Sequence, residues 1–130
     1  MSERSSGLRV LVAEDEPQLQ RLMARVLERR GYRVQTVCDG TQAVRVFEEP
    51  AGIFEILVLD AAIAPRGGAE VLEAALKHCE SLGIVLTSGD ALDSALREFM
   101  RQHDGVFLRK PFPPSALLRA LEDSLIKGSE

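Results

Sequence analysis

Residues 54–60 read FEILVLD. The run is apolar almost throughout, and an acidic residue, Asp60, ends it. A strand with one wet face alternates apolar and polar residues; a continuous apolar run is buried on both faces. Such a strand belongs in a parallel sheet with helices packed on either side.

Working outward, residues 8–13 (LRVLVA), 33–37 (RVQTV), 83–87 (GIVLT) and 105–108 (GVFL) read as four further strands. Helical patterns lie between them. The first opens with Pro17, favoured in a first turn, and places Leu19, Leu22, Met23, Val26 and Leu27 on one stripe before Gly31 stops it. The second starts at Asp39 and Gln42, which have capping-box-like spacing, and runs through Phe47 until Pro50 and Gly52 break it. The third follows a loop with Pro65, Gly67 and Gly68 and shows Leu72, Ala75, Leu76 and Cys79 on one face. The fourth carries Leu92, Ala95, Leu96, Phe99 and Met100, with Ser88 or Asp90 as its cap. The fifth begins near Pro113-Pro114-Ser115 and uses Leu117, Leu118, Leu121 and Leu125. Five rounds of strand then helix, joined by right-handed crossovers, make a doubly wound α/β domain with a five-stranded parallel sheet. That domain is expected over residues 8–127, after an extended or disordered segment 1–7 and before a tail 128–130.

Composition narrows the function classes. The chain has 130 residues, 45% of them hydrophobic, enough to build a core. Its net charge of −4 gives no reason to expect nucleic-acid binding, which usually needs a basic patch. No apolar run approaches the roughly 20 residues that span a bilayer, and the polar N-terminus lacks a signal peptide's apolar stretch. A cytoplasmic protein without membrane contact is expected. Cys38, Cys79, His78 and His103 have no metal or redox spacing and read as structural or incidental.

In doubly wound folds, ligands sit beyond the carboxyl ends of the strands. Those ends carry Glu14, Asp15 and Glu16 after strand 1, Asp60 after strand 3, Thr87 and Ser88 after strand 4, and Lys110-Pro111 after strand 5. Crowded carboxylates repel and require a cation. An all-oxygen site suits Mg²⁺, which keeps several waters. A carboxylate can accept a phosphoryl group as a nucleophile, and phosphoryl transfer asks mainly for positioning and charge neutralisation. Each residue alone also has an ordinary reading: a helix-dipole partner for Glu14-Asp15-Glu16, a turn residue for Asp60, a strand end for Thr87, a surface lysine for Lys110, plain core for Phe107. The joint pattern is what points to chemistry.

Glu14-Asp15, Asp60, Thr87 and Lys110-Pro111 together resemble the signature of response-regulator receiver domains, from about residue 8 to 125. The resemblance implies a flavodoxin-like sheet of order 2-1-3-4-5. It implies Asp60 as phosphoacceptor, Asp15 and Asp60 as direct Mg²⁺ (or Mn²⁺) ligands, Glu14 acting largely through water, and the Ala62 carbonyl as a further ligand. Thr87 would bond one phosphoryl oxygen and Lys110 another; Phe107 stands at the aromatic switch position; the Lys110–Pro111 peptide would be cis. Partners would be a histidine kinase or phosphotransfer protein, and a downstream protein bound through helix 4, strand 5 and helix 5, where Arg97, Arg101 and Arg109 are candidate contacts. One departure stands out. The family usually has Pro four residues after the phosphoacceptor; here Pro65 is five residues after it, so the loop after strand 3 is expected to take its own path, which bears on Ala62.

The expected function is therefore a phosphorylation-dependent switch rather than an enzyme with a separate substrate. The alternative is a receiver-like adaptor that works without phosphorylation. A haloacid-dehalogenase-like phosphatase needs a second Asp where Ala62 stands, and an acidic loop after strand 1 disfavours a flavodoxin-like nucleotide binder.

Overall fold

The computed structural model describes residues 7–50 and 52–126; the expected segment 1–7 (all but Gly7), residue 127 and the tail lie outside them. The strands are β1 (Arg9–Ala13), β2 (Arg33–Val37), β3 (Ile56–Asp60), β4 (Gly83–Ser88) and β5 (Val106–Arg109). The helices are α1 (Pro17–Arg29), α2 (Gly40–Glu48), α3 (Gly68–His78), α4 (Ser94–Gln102) and α5 (Pro114–Ser124). All the strand pairings are parallel, in the order β2-β1-β3-β4-β5.

The sheet carries a core on each face. Leu11, Leu57, Leu59, Ile84 and Leu86 point to one side, where Val44, Phe47, Leu72, Ala75, Leu96 and Met100 of α2, α3 and α4 cover them. Val10, Val12, Ile56, Val58 and Val85 point to the other, under Met23, Leu27, Leu117 and Leu121 of α1 and α5. Burial on both sides explains why β3 shows no alternation: every one of its residues is buried. The edge strands differ, because β2 and β5 each have one neighbour and expose alternate or nearly alternate residues.

Element ends depart from the sequence reading where tertiary contacts override local pattern. β3 begins two residues later than expected, since Phe54 leaves the ladder to stack edge-on against Phe47 at 5.6 Å and lies under Arg9 at 4.5 Å. It also runs one residue further, because Asp60 pairs with Thr87. α4 is capped by Asp93, whose carboxylate accepts the Leu96 N–H at 2.9 Å; the expected caps Ser88 and Asp90 instead close a turn on each other. Leu92 thus precedes the helix. Asp39 caps α2 as expected, accepting the Gln42 N–H at 2.8 Å, while the Gln42 side chain reaches the Cys38 N–H rather than that of Asp39. Gly31 adopts φ 103 at the end of α1, a conformation that favours glycine.

Candidate functional site

The site lies at the carboxyl ends of β1, β3, β4 and β5. Parallel pairing makes this inevitable: strands in register deliver their last residues to one edge. Glu14 follows β1, Asp60 ends β3, and Thr87 stands directly opposite Asp60 on β4. The Lys110 N–H bonds the Ser88 carbonyl at 2.8 Å, which anchors the lysine beside β4.

Glu14 and Asp60 are buried, at 1% and 7% exposure, while Asp15 is exposed. Carboxylate oxygens of Glu14, Asp15 and Asp60 all lie within 4.8 Å of one another. Lys110 Nζ sits 3.1 Å from Glu14 Oε1, an ionic contact off hydrogen-bond alignment. It also donates to Asp60 Oδ2 at 3.3 Å. The other Asp60 oxygen accepts the Ala62 N–H at 3.1 Å, and Glu14 Oε2 accepts the Glu16 N–H at 3.1 Å. Thr87 is fully buried, and its Oγ1 has no hydrogen-bond partner among the described residues.

The electrostatics follow from one cation among three acids. Burial pushes the Glu14 carboxyl above its ordinary 4.5; the Glu16 N–H and Lys110 pull it back, and the charge of Asp60 adds to the rise. For Lys110, burial works against the charge, yet Glu14 and Asp60 outweigh it and hold the ammonium above its ordinary 10.5. The net negative pocket is an all-oxygen donor set with one solvent-reaching ligand, which fits a divalent cation that keeps waters.

A pH prediction follows for the metal-free protein. The folded state keeps the Glu14 proton to higher pH than the unfolded chain does. As pH rises above 4.5, the unfolded chain loses that proton first, so ionising Glu14 lowers stability. Glu14→Gln removes this loss while Lys110 keeps its contact with Asp60. Urea unfolding should show the variant more stable than wild type at neutral pH, because a neutral amide costs less to bury than a carboxylate. The gap should shrink as pH falls towards 4.5. A variant less stable than wild type at neutral pH would contradict this account.

The structure thus gathers Glu14, Asp15, Asp60 and Lys110 and sets Thr87 alongside. Glu16 contributes its N–H, and its side chain is outside the carboxylate cluster. Ala62 is exposed beside Asp60, and both the Lys110–Pro111 and Ala64–Pro65 peptides are cis. Phe107 lies away from the pocket, 40% exposed on β5, on an open groove of about 750 Å³ that Leu92, Arg97, Met100, Arg101 and Arg109 also line. Gln20 was not legible as part of the site. Its Nε2 donates to the carbonyls of Glu14 and Val37 at 3.1 and 3.0 Å, a role that a lone glutamine in a helical pattern does not announce.

The chain matches the response regulator receiver domain family over residues 10–122. It is 30% identical over 119 residues to the response regulator receiver protein CpdR of Brucella abortus, covering 91% of this chain and 97% of that one. It is 29% identical to the sensor kinase CckA of the same organism, covering 97% of this chain and 13% of the kinase. The chain therefore spans a small part of some relatives and nearly all of another. Among solved structures, a response regulator receiver protein from Sinorhizobium medicae superposes with a TM-score of 0.82 at 25% identity, covering 93% of this chain and 96% of that one. The receiver domain of a Pseudomonas aeruginosa sensor histidine kinase, with magnesium coordinated in its active-site cleft, gives 0.74 at 25% identity, covering 92% and 98%. Fold, site and family coincide: this chain belongs to the response-regulator receiver-domain family of two-component signalling.

Proposed function

We propose that Asp60 accepts a phosphoryl group from a phosphohistidine on a histidine kinase or phosphotransfer protein, and that this switches a protein-binding face. The observation that carries the reading is the buried Asp60 carboxylate, held 3.3 Å from the Lys110 ammonium beside a buried hydroxyl with no partner among the described residues. In the transfer, an Asp60 carboxylate oxygen bonds phosphorus as the phosphorus–nitrogen bond breaks, and the freed imidazole leaves with the electron pair. Lys110 offsets charge on the phosphoryl oxygens, and the Thr87 hydroxyl donates to one of them. Glu14, Asp15, Asp60 and the Ala62 carbonyl are the groups that would hold Mg²⁺ (or Mn²⁺), which when bound neutralises further charge on the phosphoryl group.

Phosphorylation adds charge and acceptor oxygens. Drawing Thr87 towards them vacates space beneath β5, and Phe107 turns inward from the groove beside α4. The face of α4, β5 and α5 then changes for a downstream protein. On that face Arg109 is exposed, Arg101 pairs with Glu98, and Arg97 donates to the Leu92 carbonyl at 2.8 Å. This reading puts the chain in the cytoplasm with no separate substrate to turn over; among the described residues no helix is long and apolar enough to cross a membrane.

The test is incubation with a small-molecule phosphodonor and Mg²⁺, followed by intact mass and peptide mapping. A gain of one phosphoryl group on the peptide holding Asp60 is expected. No gain would leave the phosphorylation-independent adaptor instead.

Two substitutions probe the details. A buried hydroxyl with no partner costs about 1–3 kcal/mol, so Thr87→Val should raise the unphosphorylated protein's stability by about 1 kcal/mol. It should also abolish the phosphorylation-induced shifts of Phe107 ring signals by NMR; a Thr87→Val protein that still moves Phe107 would remove Thr87 from the switch. Ala62 is small and exposed, and leaves the acyl phosphate open to water. Ala62→Asn should lengthen its lifetime several-fold, roughly 1 kcal/mol in the hydrolysis barrier; equal lifetimes would dismiss the idea.

A further inference from the structure

Two stretches of chain bring the acids together. Glu14 and Asp15 sit in the β1–α1 loop; Asp60 and Ala62 sit at the end of β3 and in the loop after it. Both stretches are fastened to a third that bears no proposed ligand. The carbonyl of Val37, last residue of β2, accepts the Glu14 N–H at 3.1 Å and Gln20 Nε2 at 3.0 Å. Gln20 Nε2 donates also to the Glu14 carbonyl at 3.1 Å. One side-chain amide from α1 thus ties two main chains together at the root of the acidic loop. Three residues on, the Gly40 N–H donates to the Ala64 carbonyl at 2.9 Å. A Cβ on Gly40 would lie 3.0 Å from Arg66 Cβ, 3.2 Å from its nitrogen and 3.3 Å from its oxygen. The loop after β3 therefore rests where a glycine leaves room for it.

We propose that the β2–α2 turn, residues 37–40, is a bracket that sets the spacing between Glu14-Asp15 and Asp60, with Gln20 and Gly40 as its positioning residues. The proposal rests on the phosphoacceptor reading, because the spacing matters only if those acids share a cation. Groups that orient metal ligands without touching the metal govern affinity strongly. A purely local role makes a different forecast. Crowding against Arg66 would then lower the stability of Gly40→Ala and would leave ion binding alone.

Titrate unphosphorylated wild type, Gln20→Met, Gly40→Ala and Gly67→Ala with MgCl₂ by calorimetry, and record a thermal melt of each. Gln20→Met keeps the side chain's length and loses both donors. Gly67→Ala is the control in the same loop, since a Cβ there meets nothing within 4 Å. The expected result is a roughly tenfold weaker Mg²⁺ affinity for Gln20→Met and Gly40→Ala, with Gly67→Ala at the wild-type value. Wild-type affinity in both test variants would overturn the bracket, even if their melting temperatures fall. Equal weakening in Gly67→Ala would overturn it too. If Gln20→Met does not fold, Gly40→Ala decides alone. A wild type that takes up no Mg²⁺ would instead remove the reading beneath the proposal.

Discussion

Asp60→Asn is expected to end phosphoryl uptake altogether while leaving the fold intact. The amide oxygen can still accept the Ala62 N–H, now taken by Asp60 Oδ1 at 3.1 Å. It carries no full negative charge, so it cannot serve as the nucleophile. The fold loses little from the same change. Neutralising Asp60 relieves its repulsion with Glu14 and Asp15 but gives up the attraction of the Lys110 ammonium at 3.3 Å. Intact mass after treatment with phosphodonor should therefore show no adduct, and urea unfolding should show stability close to wild type. An adduct of the same mass on Asp60→Asn would move the phosphoryl group to another residue, with Asp15 next in line.

Lys110→Met is expected to have the largest effect on stability. The ammonium lies between two mostly buried carboxylates, 3.1 Å from Glu14 and 3.3 Å from Asp60. Removing one member of a buried ion cluster leaves the others uncompensated, at a cost of about 3–5 kcal/mol. Lys110 itself keeps 22% of its side chain in solvent, so the low end, about 3 kcal/mol at neutral pH, is the expected value. The loss has a signature that mere packing damage lacks: it should shrink at lower pH, where Glu14, its carboxyl already raised by burial, takes up its proton. It should also shrink on adding Mg²⁺, which binds the folded state and supplies the missing charge. The rate of phosphoryl uptake should fall even when Mg²⁺ saturates. A Lys110→Met protein as stable as wild type without Mg²⁺ would show that the acids need no internal cation.

The fold was open to sequence reasoning because its signals are local. Apolar runs mark strands covered on both faces, as with residues 54–59, and the stripe from Leu19 to Leu27 marks a helix with one dry side. Boundaries were less legible wherever a distant partner set them. Phe54 leaves β3 because Phe47 and Arg9 hold it, and Asp93 caps α4 while Ser88 and Asp90 satisfy each other. Neither preference is visible in the residues concerned.

The site divides in the same way. Glu14, Asp15, Asp60, Thr87 and Lys110 could be picked out from the sequence because parallel strands deliver their carboxyl ends to one edge, whatever the side chains between. Which of these acids is buried, how far Lys110 reaches, that Thr87 Oγ1 lacks a partner among the described residues, and where Gln20 and Gly40 make their bonds were decided by the tertiary structure alone. Each depends on distances between segments far apart in the chain, and periodicity, which records only what a residue's near neighbours are, carries no measure of those distances.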